Sequence, residues 1–499
     1  MLPGWLAPLL LPEELGASDR YAINERGIPG IDLMERAGGA LARAAARALP
    51  AGPIAVLCGG GNNGGDGLIA ARMLRDGGRE VRVLLTRPAT DLKGDAVLAL
   101  RRLGEATPLL GPADAGAVLD GTAGAIDALL GTGATGAPRG AEGALIQALA
   151  AAAIPVVACD LPSGIDAATG EVPGAAVRAV TTVTFHRPSP GHLIAPAKDH
   201  VGRLEVVDIG IPRGATIEPQ IGAIRDAVAS ALPTRSAASH KYAAGAVVVV
   251  AGSAQYPGAA VLAVRGAQRA GAGYVTAVVG EPAVPLVRGS SPEAIVQPSP
   301  QPGEEASLDE LLAKRADAVV LGPGMSGNEA ASLVHAVLAA GVPTVLDADG
   351  LAPFAGRPEG LRREAPLILT PHAGELGRLL GRTSAEIGAR RLACAREAAQ
   401  RTGAVVVLKG DDTIVADPNG RVAVNDLSSP ALATAGTGDV LAGTIGALLA
   451  AGAEPFLAAA GAVRLHAQAG RLAAAAIGAA DGVVAFDVAE HLPAARGHH

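Results

Sequence analysis

The sequence predicts an α/β protein of two domains, each with helices packed on a largely parallel sheet. Three observations carry that expectation. Apolar runs of strand length alternate with Ala-rich helical stretches along the chain. At 499 residues the chain exceeds what one ordinary core holds. Across Gly210–Lys241 the alternation weakens and IPRGATIEPQ reads as loop, so a boundary is expected there, with domains of 1–218 and 219–499.

In the first half, strands are expected at Ile54–Cys58, Val81–Thr86, Ala125–Leu130, Val156–Asp160, Thr181–Phe185 and Leu204–Asp208. Helical patterns fill the gaps at Met34–Leu49, Asp66–Asp76, Asp95–Leu103 and Glu142–Ala152. Within the boundary segment, Ile221–Leu232 reads as a short helix. The second series of strands is expected at Ala246–Ala251, Tyr274–Val279, Ala318–Leu321, Thr344–Leu346, Leu367–Thr370, Val405–Leu408, Thr413–Ala416 and Val422–Val424. The last two flank Asp417-Pro418-Asn419-Gly420, whose turn chemistry predicts a hairpin. The halves share no motif, which indicates a fusion and not a duplication.

Composition excludes several function classes. The 41 Lys and Arg against 48 Asp and Glu give a net charge of -7, which argues against a nucleic-acid partner. Aromatics at 2% leave little for base-stacking platforms. Cys58, Cys159 and Cys394 lie far apart in no metal-ligand spacing and read as buried thiols of a reducing compartment. The opening MLPGWLAPLLLPEEL lacks a basic segment and carries prolines, unlike a signal peptide, and the apolar run Ala148–Cys159 is too short to span a bilayer. A cytoplasmic homo-oligomer with no membrane partner is expected.

Strand Ile54–Cys58 runs into Gly59-Gly60-Gly61-Asn62-Asn63-Gly64-Gly65-Asp66-Gly67. Gly59, Gly61 and Gly64 satisfy G-x-G-x-x-G, but the second strand ends Leu84-Leu85-Thr86-Arg87, without the acid a dehydrogenase uses on the ribose. Successive N–H groups leading into a helix still make an anion cradle. The plainer alternative is a capped helix start with Asp66 as N-cap. Asp127-Ala128-Leu129-Leu130-Gly131-Thr132-Gly133, Arg139-Gly140 and Asp160-Leu161-Pro162-Ser163-Gly164-Ile165-Asp166 follow expected strands, where ligands bind in open α/β sheets.

The ordered series NNGGDG, DALLGTG, DLPSGID, TFHRPSPGH and VVDIGIP resembles the NAD(P)H-hydrate epimerase family over roughly residues 8–215. The resemblance implies a Rossmann-like three-layer domain. It implies hydrate binding by Asn62, Asn63, Gly64, Gly65, Asp66, Gly131, Thr132, Gly133, Ala134, Thr135, Gly136, Ala137 and Asp160. It further implies a potassium ion held by Asn63, Asp127 and Ser163, whose oxygens are the hard ligands such a cation prefers. Asp160 is the candidate acid/base, because epimerising a carbinolamine-like carbon needs proton transfer to open and re-close it. Ser189 stands where family members often carry Lys, before Pro190-Gly191-His192.

In the second half, Ala435-Gly436-Thr437-Gly438-Asp439 heads a helix expected at Val440–Ala450. A glycine turn opening a helix directs N–H groups at phosphate, and an aspartate there suits a general base on an attacking hydroxyl. The alternative is Asp439 as an ordinary cap. The segment resembles the ribokinase superfamily. Gly258–Thr276, Gly322-Pro323-Gly324, Asp347-Ala348-Asp349, Leu369–Glu375 and Lys409–Thr413 narrow this to a likeness with ADP/ATP-dependent NAD(P)H-hydrate dehydratases over roughly residues 225–490. That likeness implies hydrate contacts by Ala259, Gly324, His372 and Asp439, and nucleotide contacts by Lys409, Gly410, Asp411, Asp412, Thr413 and Gly438. Tyr242 departs from a family-like His-Lys-Gly-x-x-Gly.

Together the resemblances imply serial repair of NADHX and NADPHX, the hydrated forms of NADH and NADPH. The first domain would interconvert the R and S hydrates, and the second would dehydrate the S form with ADP and Mg²⁺, giving AMP and phosphate. The rival readings are a vitamin-precursor or sugar kinase fused to a nucleotide-binding module, and an inactive nucleotide sensor.

Overall fold

The computed structural model describes residues 2–234, 244–300, 306–326 and 329–497. The chain divides into two compact units, Pro8–Ile221 and Gly222–His499, and Leu2–Ala7 belongs with the second. A single cut after residue 218 would therefore separate the second unit from its own first segment.

Strand β1 is Leu6–Pro8. The first unit then carries β2 (Ile54–Cys58), β3 (Val81–Leu85), β4 (Leu109–Leu110), β5 (Gly124–Ala128), β6 (Val156–Cys159), β7 (Thr181–Phe185) and β8 (Arg203–Val207). They form a parallel sheet in the order β4-β3-β2-β5-β6-β7-β8. The alternation along β2 shows why three layers form. Ile54, Val56 and Cys58 join one core with Leu41 and Leu68, from helices Gly30–Ala48 and Asn62–Asp76. Ala55 and Leu57 join the other with Leu145 and Leu149 of helix Gly140–Ala152. A strand buried on both faces needs apolar residues at every position, as β2 has.

The second unit continues with β9 (Ile221–Ile224), β10 (Ala246–Ala251), β11 (Tyr274–Val279), β12 (Ile295–Pro298), β13 (Ala318–Leu321), β14 (Thr344–Leu346), β15 (Leu367–Leu369), β16 (Val405–Leu408), β17 (Ile414–Ala416) and β18 (Val422–Val424). Its sheet runs β1-β9-β18-β17-β16-β15-β14-β13-β10-β11-β12. Strands β10 to β16 are parallel, and β16, β17 and β18 are antiparallel neighbours. The expected hairpin is present: Asp417 accepts a hydrogen bond from the Asn419 N–H (2.7 Å) and pairs with Arg421. Helices Pro257–Ala270, Thr437–Ala450, Pro455–Ile477 and Ala485–Gly497 contribute to one large core, where Trp5 packs on Phe456 with ring centroids 5.9 Å apart.

The structure corrects one element. Ile221–Leu232 is not a helix: its first residues form β9, and only Val228–Ala231 is helical. IGAI is fully buried between β1 and β18, and that tertiary pairing overrides a weak local helix pattern. Strands β1, β4 and β12 were not anticipated, and all three lie at sheet edges. Among the described residues no helix is long and apolar enough to cross a membrane, and the three cysteines are free. The Tyr242 departure lies outside the described residues.

Candidate active sites

In both sheets the strand order reverses beside the unit's first parallel strand, between β2 and β5 and between β10 and β13. The crevice beyond the strand ends at such a point is where ligands bind in open α/β sheets.

In the first unit a cavity of about 550 Å³ opens there, and Asn62, Asn63, Asp66, Gly131, Thr132, Gly133, Ala134 and Asp160 line it. The helix begins at Asn62 with Gly61 as N-cap, a turn earlier than expected, so Asp66 is not a cap. Gly64 and Gly65 are buried beneath the cavity wall. A Cβ on Gly64 would stand 1.9 Å from the Gly59 carbonyl, so only glycine lets the helix sit so close to the end of β2. Thr135, Gly136 and Ala137 are exposed and are not among the lining residues.

Asp160 leaves β6 at φ 62°, an uncommon backbone conformation for a non-glycine residue. The Thr132 N–H and the Thr184 hydroxyl donate to its two carboxylate oxygens, each at 3.1 Å. His192 Nε2 donates to the Asp160 backbone carbonyl at 2.7 Å, while His192 Nδ1 accepts from the Ser189 N–H at 3.0 Å. Ser189 is thus a buried brace for His192. Burial lowers the His192 pKa, against its contacts with Asp160 and Ser189, and favours a neutral ring. Asp66 is pushed well above the ordinary carboxylate range by burial and by the charges of Asp160 and Asp19.

Asp127 is fully buried at the end of β5. It accepts from the Ser163 hydroxyl (2.7 Å), the Ser163 N–H (2.8 Å) and the Leu129 N–H (3.2 Å). Burial pushes its pKa up to about 6, although those hydrogen bonds oppose the shift. Both amide atoms of Asn63 are buried without a protein partner, beside Gly131. A buried carboxylate met only by neutral donors and an unpaired buried amide both suit a hard cation.

In the second unit the candidate residues gather beyond β13 to β16. Lys409 Nζ lies 2.8 Å from Asp347 and 3.7 Å from Glu375. Burial opposes the charge on Lys409, but Asp347 and Glu375 outweigh it and raise its pKa. Asp439 enters helix Thr437–Ala450, whose N-cap is Gly436 at φ 89°, so Asp439 is not the cap. Its pKa is raised to about 7 by burial and by Asp347, with Lys409 acting in the opposite direction. A Cβ on Gly438 would stand 3.4 Å from Lys409 Nζ, so the helix start and the ammonium are adjacent.

His372 caps helix Ala373–Leu380 through Nδ1, which accepts from the Gly374 and Glu375 N–H groups, and Nε2 faces Glu375 at 3.3 Å. Gly324 and Ala259 meet: a Cβ on Gly324 would stand 2.6 Å from that of Ala259. Within Lys409–Thr413 the residues divide. Gly410 and Asp411 are exposed, whereas Asp412 is buried in a bidentate pair with Arg391 (2.7 and 3.0 Å) and the Thr413 hydroxyl donates to the Gly410 carbonyl (2.6 Å). Asp412 and Thr413 therefore brace the loop that presents Lys409.

Four residues at these sites were not singled out from sequence: Asp19, His192, Asp347 and Glu375. His192, Asp347 and Glu375 stand inside segments that carried the resemblances, and only folding shows their side chains facing Asp160 and Lys409. Asp19 lines the first cavity from helix Pro12–Arg20, within LLPEELGASDR, the segment with which the first resemblance begins.

Comparisons with known proteins agree with this division. Residues 247–494 match the family model described as NAD(P)H-hydrate dehydratase, and residues 30–191 match the YjeF-related protein N-terminus. The bifunctional NAD(P)H-hydrate repair enzyme of Moorella thermoacetica is 39% identical, with 97% of this chain and 96% of that one covered. Its counterpart from Gloeobacter violaceus is 40% identical, with 91% of each chain covered. Among solved structures, a ribokinase-like superfamily protein from Enterococcus faecalis is similar, at 25% identity and a TM-score of 0.50, over 57% of this chain and 98% of that one. The chain belongs to the family of bifunctional NAD(P)H-hydrate repair enzymes.

Proposed function

We propose that the first domain interconverts the R and S hydrates of NADH and NADPH, and that the second dehydrates the S hydrate with ADP. The observation that carries the second step is Asp439 beside Lys409 at a glycine-opened helix start. With its pKa near neutrality, Asp439 takes the proton of the ring hydroxyl as that oxygen attacks the β-phosphorus of ADP, and AMP leaves. Loss of phosphate from that carbon and of a proton from its neighbour restores the ring double bond. Lys409 and the Gly438 N–H face the transferring phosphate, and His372, Ala259 and Gly324 hold the hydrate. Lys409 is the cation among Asp347, Glu375 and Asp439, an excess of negative charge that suits a nucleotide arriving with magnesium.

In the first domain Asp160 moves the proton that opens and re-closes the carbinolamine carbon. Thr132 and Thr184 aim its carboxylate, and His192 fixes its backbone. Asn63, Asp127 and Ser163 would hold potassium, which supplies positive charge beside the hydrate. The test is incubation with NADH hydrate and ADP while following the absorbance of reduced nicotinamide. Return of that band with release of AMP is the expected result. Accumulation of a phosphorylated product without it would instead favour a small-molecule kinase.

A further inference from the structure

The two sheets share one arrangement at their switch points, but the residue that follows the second strand differs in charge. The orders β4-β3-β2-β5 and β12-β11-β10-β13 are both third, second, first, fourth, and all these pairs are parallel. In a sheet of this order the end of the second strand stands beside the ribose of a bound adenine dinucleotide. There an acid takes the 2′-hydroxyl, whereas an arginine accommodates a 2′-phosphate.

Strand β3 is followed by Thr86-Arg87. Arg87 lines the first cavity, and its guanidinium lies across the glycine turn, where a Cβ on Gly60 would stand 2.5 Å from its Nε. It pairs with Glu142 at 3.4 Å, and the Arg87 side chain is half exposed. Such an open pair is weak and yields readily to a phosphate dianion. Strand β11 is followed by Gly280-Glu281. Glu281 is exposed and lines a second cavity of about 390 Å³ with Gly252, Ser253 and Met325, at the ends of β10 and β13. Met325 adjoins Gly324, so this cavity borders the residues that hold the hydrate in the reading above.

We propose that the two domains favour opposite forms of the dinucleotide: the epimerase favours NADPHX through Arg87, and the dehydratase favours NADHX through Glu281. Arg87 pairs with the 2′-phosphate that only NADPHX carries. Glu281 accepts a hydrogen bond from the 2′-hydroxyl of NADHX and repels the phosphate that replaces it. This rests on the function proposed above.

The experiment measures kcat/KM for NADHX and NADPHX separately, in epimerisation without nucleotide and in dehydration with ADP. R87A should lower the NADPHX-to-NADHX ratio of epimerisation by about tenfold or more, the scale of a hydrogen bond to a charged group, and R87K should recover part of it. E281Q should raise the NADPHX-to-NADHX ratio of dehydration by about tenfold. An R87A enzyme slowed equally on both hydrates would overturn the first half, since Arg87 would then serve the pyrophosphate common to both. An unmoved ratio in E281Q would overturn the second half. Calorimetric binding of NADPH and NADH to the same variants reads selectivity without turnover. A wild-type enzyme that converted neither hydrate would sink the functional reading, while the binding ratios would still judge this one.

Discussion

Asp160 leaves the end of β6 in a strained backbone conformation, and two hydroxyl and amide donors point its carboxylate across the first cavity. Asp439 enters its helix in ordinary geometry and is governed by its burial and then by the charges around it, Asp347 and Glu375 on one side of the balance and Lys409 on the other. The same residue type is set by geometry in one domain and by field in the other. Neighbours of Asp160 therefore act through where the carboxylate points, and neighbours of Asp439 act through how readily it holds a proton.

The largest effect is expected where the field is put to use. D439N should keep the fold and lose a factor of roughly 10²–10⁴ in dehydration, the usual span for general base catalysis. Epimerisation assayed on the same sample should persist, and near-normal dehydration would remove Asp439 from the mechanism. Next comes the cation site proposed for the first domain. D127N keeps the shape of a fully buried carboxylate but removes its charge, so the potassium affinity proposed to support epimerisation should fall by roughly tenfold or more. A potassium titration of the epimerisation rate reads this directly, and an unchanged titration would end the site assignment.

The third prediction sharpens the comparison through pH. Because the Asp439 pKa is raised to about 7, the carboxylate is already taking up a proton as the pH falls through neutrality. Dehydration kcat/KM, which reports the free enzyme, should then drop about tenfold per pH unit below that point. Lys409 lowers the Asp439 pKa, so K409M should move this limb to higher pH, beyond any loss of nucleotide contact. A limb that stays in place would show that the charges around Asp439 do not set its titration. The smallest effect on either rate belongs to W5A, which removes the ring packed on Phe456. It should cost the second unit about 3–5 kcal/mol of stability, seen calorimetrically as an earlier unfolding transition for that unit alone.

Much of both sheets was legible because strands buried on two faces, such as β2, β10 and β16, are unbroken apolar runs of Val, Ile, Leu, Ala and, in β2, Cys. The short edge strands were not, since β4 is two residues long and partly exposed and β12 ends in proline. Strand β9 reads as helix in the sequence because IGAI has no period of its own, and its state is decided by partners distant in sequence. At the sites, glycine-rich segments identified the right strand ends but misplaced the helix starts by a turn. Asn62 to Gly65 look like loop residues, yet they begin a helix because Gly64 alone fits against Gly59. Asp347 and Glu375 were visible as motif letters, but their convergence on Lys409 depends on the order β14-β15-β16, which no local pattern contains.

The place of Leu2–Ala7 has a consequence for biosynthesis. In chain order Leu2–Ala7 come before the first domain, yet the sheet that receives β1 does so through β9, more than two hundred residues later. At the usual 5–20 residues per second the nascent segment waits roughly 10–40 s for its neighbour, while the whole first domain folds behind it. Through that interval Trp5 lacks Phe456, the ring it packs on in the folded unit. The prolines around Trp5, poor partners for stray strand pairing, guard this segment until the second unit's sheet is made.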